Sequence, residues 1–146
     1  MTELVKVNAD ILNKEFVNTD VLNSGGLDDT VVLTLHIPSD LDYFNGHFDQ
    51  APILAGVVQL HWAAEYAKQY LNMSTGEVMD IQVLKFQEMI LPGQDVVLTL
   101  TKKTAEKVLF SYRSVEQLHQ SETIKSHSSG RLIFAQAPET VSLEIQ

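Results

Sequence analysis

A chain of 146 residues with 45% hydrophobic and 20% charged side chains, seven glycines and four prolines has the composition of one folded domain, without disorder or low complexity. Its formal charge of −9 excludes nucleic acid and anionic membrane surfaces as expected partners, because phosphate groups would be repelled over most of the surface. The absence of cysteine excludes disulfide scaffolds, thiol nucleophiles and cysteine-ligated zinc.

From Met1 to Phe16 charged and polar residues interrupt every apolar pair. This pattern lacks the apolar run of a signal peptide, and no later stretch is long enough to span a bilayer, so a cytoplasmic location is expected. Phe16 to Leu22 alternates loosely, Asn23 to Gly26 supplies a turn, and Thr30 to Ile37 is a β-branched run, which together predict two strands and a loop. Pro38 ends the second strand. Ser39 to Ala55 has no sustained period and contains Asn45-Gly46, Asp49 and Pro52, which predicts a structured loop. From Gly56 to Leu71 there is no proline and no internal glycine. Apolar positions recur around most of the circumference, with Gln59, Glu65, Lys68 and Gln69 interspersed, as in a helix buried on more than one side. Asn72 to Gly76 supplies residues suited to a left-handed exit from that helix.

Four strand-like stretches follow: Val78 to Glu88, Asp95 to Thr104, Lys107 to Glu116 and Glu122 to Ala135. Val96, Leu98 and Leu100, then Val108, Phe110 and Tyr112, alternate as strands with one buried face do. One long helix among five or six mainly antiparallel strands hides its apolar surface by lying across the sheet, an α+β domain over residues 1–146. The tail from Pro138 is expected to be frayed or edge-paired. Lys102, Lys103 and Lys107 read as a solvated strand-turn-strand tip, and His36, His119 and His127 as surface residues. No histidines or carboxylates show metal-ligand spacing, so no metal is expected.

Tyr43 to Trp62 reads YFNGHFDQAPILAGVVQLHW, with His47 nine residues before the glycine that opens the helix. A loop histidine packed beside a helix start places a base next to backbone N–H groups that can hold a developing oxyanion. Gly46, His47, Phe48, Pro52, Gly56 and Val57 fall in register with the motif of a known family. So do Lys85-Phe86 and Pro92-Gly93, and Ser129 to Phe134 is similar to that family's last strand. The chain thus resembles the 3-hydroxyacyl-(acyl-carrier-protein) dehydratases of hotdog fold, over Val31 to Phe134. The wording PILxGVVQLxWA is most similar to dehydratase-like proteins found beside aryl-polyene and related polyketide-type lipid clusters. Asp49 and Ala55 stand where the family has proline, and His61, fourteen residues after His47, stands where it has a catalytic Asp or Glu.

The resemblance implies a hotdog fold and removal of water across C2 and C3 of a 3-hydroxyacyl thioester carried on acyl carrier protein or coenzyme A, with no cofactor. His47 is then the base for the C2 proton, Gly56 the amide donor to the thioester oxygen, and His61 of a partner subunit the acid for the leaving hydroxyl. Phe48, Pro52, Ile53, Val57 and Trp62 are implied to contact substrate. Two neighbouring imidazoles favour one neutral and one protonated ring, a usable base and acid pair. Trp62, Tyr66 and Tyr70 form a stripe at helical spacing, a core feature that can also line an acyl tunnel. A homodimer is expected. Two alternatives stand beside the dehydratase: a hotdog thioesterase, for which Asp49 and Glu65 are the nearby carboxylates, and a non-catalytic acyl-binding subunit that pairs with an active hotdog chain.

Overall fold

The computed structural model describes residues 6–19, 29–44 and 52–138. In chain order the elements are β1 (Asp10–Val17), β2 (Thr30–His36), a 3₁₀ turn (Asp42–Phe44), α1 (Gly56–Tyr70), β3 (Val78–Phe86), β4 (Asp95–Thr104), β5 (Lys107–Leu118) and β6 (Ser121–Phe134). The strands form a single sheet ordered β1-β2-β4-β5-β6-β3, and every neighbouring pair is antiparallel. One helix against a six-stranded antiparallel sheet is the hotdog arrangement expected from the sequence. No helix among the described residues is long and apolar enough to cross a membrane.

Period-2 patterning decides which face of the sheet the helix covers. Val31, Leu33 and Leu35 of β2, Val96, Leu98 and Leu100 of β4, and Val108, Phe110 and Tyr112 of β5 are all buried. Their sequence neighbours point the other way. From α1 this core receives Val58, Trp62, Ala63, Tyr66 and Ala67, spaced three and four apart, so that one helical face lies on the sheet. Each large apolar side chain hidden in this way contributes about 1.5–3 kcal/mol. The N-terminal segment closes over the helix: Trp62 Nε1 donates to Val7 O at 3.1 Å, and the Asp42 amide donates to Lys6 O at 2.7 Å.

Several expectations are corrected. The first strand is Asp10–Val17 and not Phe16 to Leu22, and the turn expected at Asn23 to Gly26 lies outside the described residues. Helix α1 does not leave through a left-handed residue. Leu71 is extended (φ −118°, ψ 144°) with its amide on Ala67 O, and the Asn72 carbonyl accepts a hydrogen bond from the Lys102 ammonium. Positive φ occurs instead at Gly93, in the turn closed by Gln94 N–H to Leu91 O, where proline at the second position and glycine at the third suit a type II turn. His119 (φ 52°) and Gln120 (φ 70°) form the two-residue β5-β6 connection, and Val83 (φ 53°) lies within a register shift of β3. His127 is buried at 1% exposure and not on the surface.

Candidate active site

The start of α1 is built from an uncapped turn. Ala55 occupies the N-cap position with φ −60° and ψ 146°, and no side chain among the described residues caps the helix. The Val58 and Gln59 amides both turn back to Ala55 O, whereas those of Gly56 and Val57 have no acceptor among the described residues. Two unsatisfied donors at the positive end of a helix dipole are suited to a carbonyl oxygen that gains negative charge. The Phe86 ring covers Gly56 so closely that a Cβ there would collide with it.

A buried polar network fixes this corner from below. Gln59, 4% exposed on the sheet-facing side of α1, donates from Nε2 to Leu54 O at 3.0 Å. Its Oε1 accepts from Ser128 Oγ at 2.6 Å, and its backbone carbonyl accepts from Tyr112 OH at 2.6 Å. Leu54 is held on its other side by its amide to Ile90 O at 2.8 Å. Burial pushes the Tyr112 hydroxyl well above the ordinary tyrosine range, so it remains a donor.

The wall that carries Phe86 is pinned by His127. Its Nδ1 lies 3.0 Å from Glu88 O, which can only accept, so Nδ1 donates there, and Nε2 is hydrogen-bonded to Ser114 Oγ at 2.7 Å. The Gln87 and Glu88 amides donate to His127 O and Ser126 O, tying the same segment to β6. Ser114 and His127 are 5% and 1% exposed, which makes the pair a structural strut without access to substrate.

His61 is exposed on α1, one turn beyond Val57 on the same side of the helix. It borders a cleft of about 550 Å³ shared with Asn8, Ile11, Trp62, Glu65 and Tyr66. Glu65 is held by Lys68 at 2.6 Å, and that hydrogen bond keeps its carboxyl below the usual range, with the charges of Lys68 and His61 adding to the effect. A carboxylate so engaged is a poor activator of water. Of the remaining expected site residues, Val57 is 71% exposed, Ile53 is exposed, Pro52 is half-buried and Trp62 is buried with its indole N–H on Val7 O. His47, Phe48 and Asp49 lie outside the described residues. The structure therefore puts Val57 and His61 one turn apart on one exposed side of α1, Gly56 at the helix start under Phe86, and Trp62 buried beside the cleft that His61 borders. Gln59 and His127 support the site from positions that the sequence motif does not mark. The available signal was a glutamine on the same helical face as Trp62, Ala63 and Tyr66, an interior position that demands partners.

A family model described as ApeI-like, ApeI dehydratase, matches residues 24–130. The 3-hydroxyacyl-(acyl-carrier-protein) dehydratase FabZ of Streptococcus pneumoniae serotype 4 is 31% identical over 81 residues, covering 51% of this chain and 57% of that protein. The chain thus spans a little over half the length of the curated relative it matches. Among solved structures, an uncharacterised protein from Erwinia carotovora subsp. atroseptica is 33% identical, with a TM-score of 0.69 over 86% of this chain and 94% of that one. The dehydratase heterocomplex ApeI:P from Xenorhabdus doucetiae is 22% identical, with a TM-score of 0.65 over 86% of this chain and 96% of that one, a likeness of fold.

Proposed function

The chain belongs to the ApeI-like dehydratase family, and from that premise we propose that it eliminates water across C2 and C3 of a 3-hydroxyacyl thioester carried on acyl carrier protein. The observation that carries this reading is the start of α1 beside Phe86, where the Gly56 and Val57 amides have no acceptor among the described residues. The Gly56 N–H holds the thioester oxygen while His47 removes the C2 proton. The electrons of that C–H bond form the C2–C3 double bond, the C3–O bond breaks, and the partner's His61 protonates the departing hydroxide. Val57, Ile53, Pro52 and Trp62 contact the acyl chain in this reading, and Phe48 is assigned the same role by its place in the motif.

A dimer is part of this reading. Among the described residues β3 ends the sheet with one edge unpaired, and it exposes Met79, Val83, Leu84 and Phe86 at 70%, 60%, 39% and 51%. An apolar free edge beside an exposed Val57 suits strand pairing with a second hotdog chain. Such pairing carries His61 of one protomer toward the helix start of its partner.

The test is incubation of the purified chain with 3-hydroxyacyl carrier proteins of several chain lengths, with mass detection of the loss of water. Turnover that disappears in His47→Ala supports the reading; no turnover by the unaltered chain at any length overturns it. In that event the second reading takes its place, a non-catalytic subunit paired with an active chain. His61 in place of a carboxylate favours it, and the Xenorhabdus heterocomplex supplies a precedent in a neighbouring fold. Native mass spectrometry showing a stable complex of this chain with a second hotdog chain would support that alternative, and self-association alone would oppose it.

A further inference from the structure

The face of the sheet turned away from α1 carries a cavity that the proposed reaction does not use. Between the buried residues of β4, β5 and β6, the alternate positions Thr99, Thr101, Ser111, Ser129 and Arg131 point outward. Strand register aligns Thr99, Ser111, Ser129 and Lys85 into one row across four strands, and Thr101, Leu109, Arg131 and Gln82 into the next. Apart from Gln82, these two rows line a cavity of about 350 Å³. Its lining holds two cations and four hydroxyls but no carboxylate, on a chain whose formal charge is −9.

Arg131 supplies the second observation. Among the described residues its Nε is the one buried side-chain nitrogen or oxygen without a hydrogen-bond partner. Its Nη1 reaches only Gln82 Oε1, at a long 3.3 Å, while Gln82 Nε2 donates to Asp80 Oδ2. Neither Arg131 nor Lys85 forms an ion pair among the described residues. A buried guanidinium nitrogen left unmatched is costly, and an anionic ligand would supply the missing acceptor. Donors converge here from four strands, more than the two oxygens of a planar carboxylate can accept. A tetrahedral group with three or four oxygens uses them better.

We propose that this cavity binds a phosphoryl group, as inorganic phosphate or as a phosphate ester. The chemistry is common to free phosphate, to the phosphopantetheine arm of a carrier and to the nucleotide end of coenzyme A. Binding of each source by the full chain, followed by titration calorimetry and by amide shifts in NMR, distinguishes them: inorganic phosphate, pantetheine 4′-phosphate and adenosine 3′,5′-bisphosphate, with acetate as control. At least one phosphoryl compound should bind more tightly than acetate, shift the amides of β4, β5 and β6 around Ser111 and Arg131, and weaken with salt. Arg131→Gln should weaken binding by about tenfold or more. If that variant fails to fold, Lys85→Gln, at an exposed edge position, should weaken binding in the same direction. The proposal is overturned if no phosphoryl compound binds, if acetate binds as well, or if shifts fall only on residues outside the cavity. It is equally overturned if a folded Arg131→Gln retains the affinity of the unaltered chain. The readout is binding alone, so it stands or falls apart from the dehydration reaction.

Discussion

Cζ of Phe86 lies 2.6 Å from the point where a Cβ on Gly56 would stand, closer than non-bonded carbons approach. Glycine at the first residue of α1 is thus a packing requirement set by β3. Gly56→Ala should cost about 1–2 kcal/mol by overpacking, measured as a fall in the urea midpoint. In a Phe86→Ala background the same substitution should become neutral or stabilising, because alanine is the better helix former. Equal costs in the two backgrounds would show that the ring is not the cause.

Ala55→Pro should raise stability by about 0.4–1 kcal/mol. Ala55 already has φ −60°, where the pyrrolidine ring would hold it, and its amide donates no hydrogen bond among the described residues. A lower urea midpoint would mean that the preceding turn cannot accept the ring.

Replacing Gln59 by leucine keeps its volume but leaves Leu54 O and Ser128 Oγ without their partner inside the protein. A loss of about 2–4 kcal/mol is expected from chemical denaturation, together with faster hydrogen exchange at the Leu54 amide. A change below about 0.5 kcal/mol would show that the network is dispensable.

Alkali should destabilise the protein through Tyr66. Burial pushes its hydroxyl from 10.0 to about 12, with the neighbouring Tyr70 and Asp10 charges adding to the effect. The folded state thus favours the neutral phenol. The associated stability is fully present below the unfolded value near 10 and is lost as pH rises through about 12. Urea midpoints should fall across that window, and Tyr66→Phe should flatten the fall; an unchanged slope would assign it to other groups.

His61 is solvent-exposed, so His61→Ala should alter stability by no more than about 0.5 kcal/mol. As the proposed acid it should lower kcat about a hundredfold, whereas His61→Asp, which restores a carboxyl group, should retain turnover. Full activity in His61→Ala would remove this residue from the mechanism.

The helix and the strands β2, β4 and β5 were legible because burial writes a period into their sequences. β4 matches its expected bounds residue for residue, since Val96, Leu98 and Leu100 alternate with less buried side chains. β1 was misplaced for the converse reason: all eight of its residues are exposed, so no inward-facing set marks the strand. The β5-β6 connection carries neither glycine nor asparagine, yet His119 and Gln120 both take positive φ because the flanking strands impose it. His127 sits between two serines, a polar context that suggested the surface, and only the pairing of β6 with β5 reveals it as interior. Around the site, the glycine opening α1 was readable from its motif. The Phe86 contact that requires it spans thirty positions of sequence and leaves no local trace.

The strand order separates contacts that close short loops from contacts that close long ones. β4, β5 and β6 are consecutive in the chain and pair as successive hairpins, so their contacts close short loops. The stretch between β2 and β4 instead makes one long excursion, leaving on one flank of this meander and returning at the far edge as β3. The mouth of α1, assembled from Leu54, Phe86 and Ile90, can form only after that circuit is complete. Refolding followed by pulse-labelled hydrogen exchange should therefore protect β4, β5 and β6 before the Leu54 amide at the start of α1.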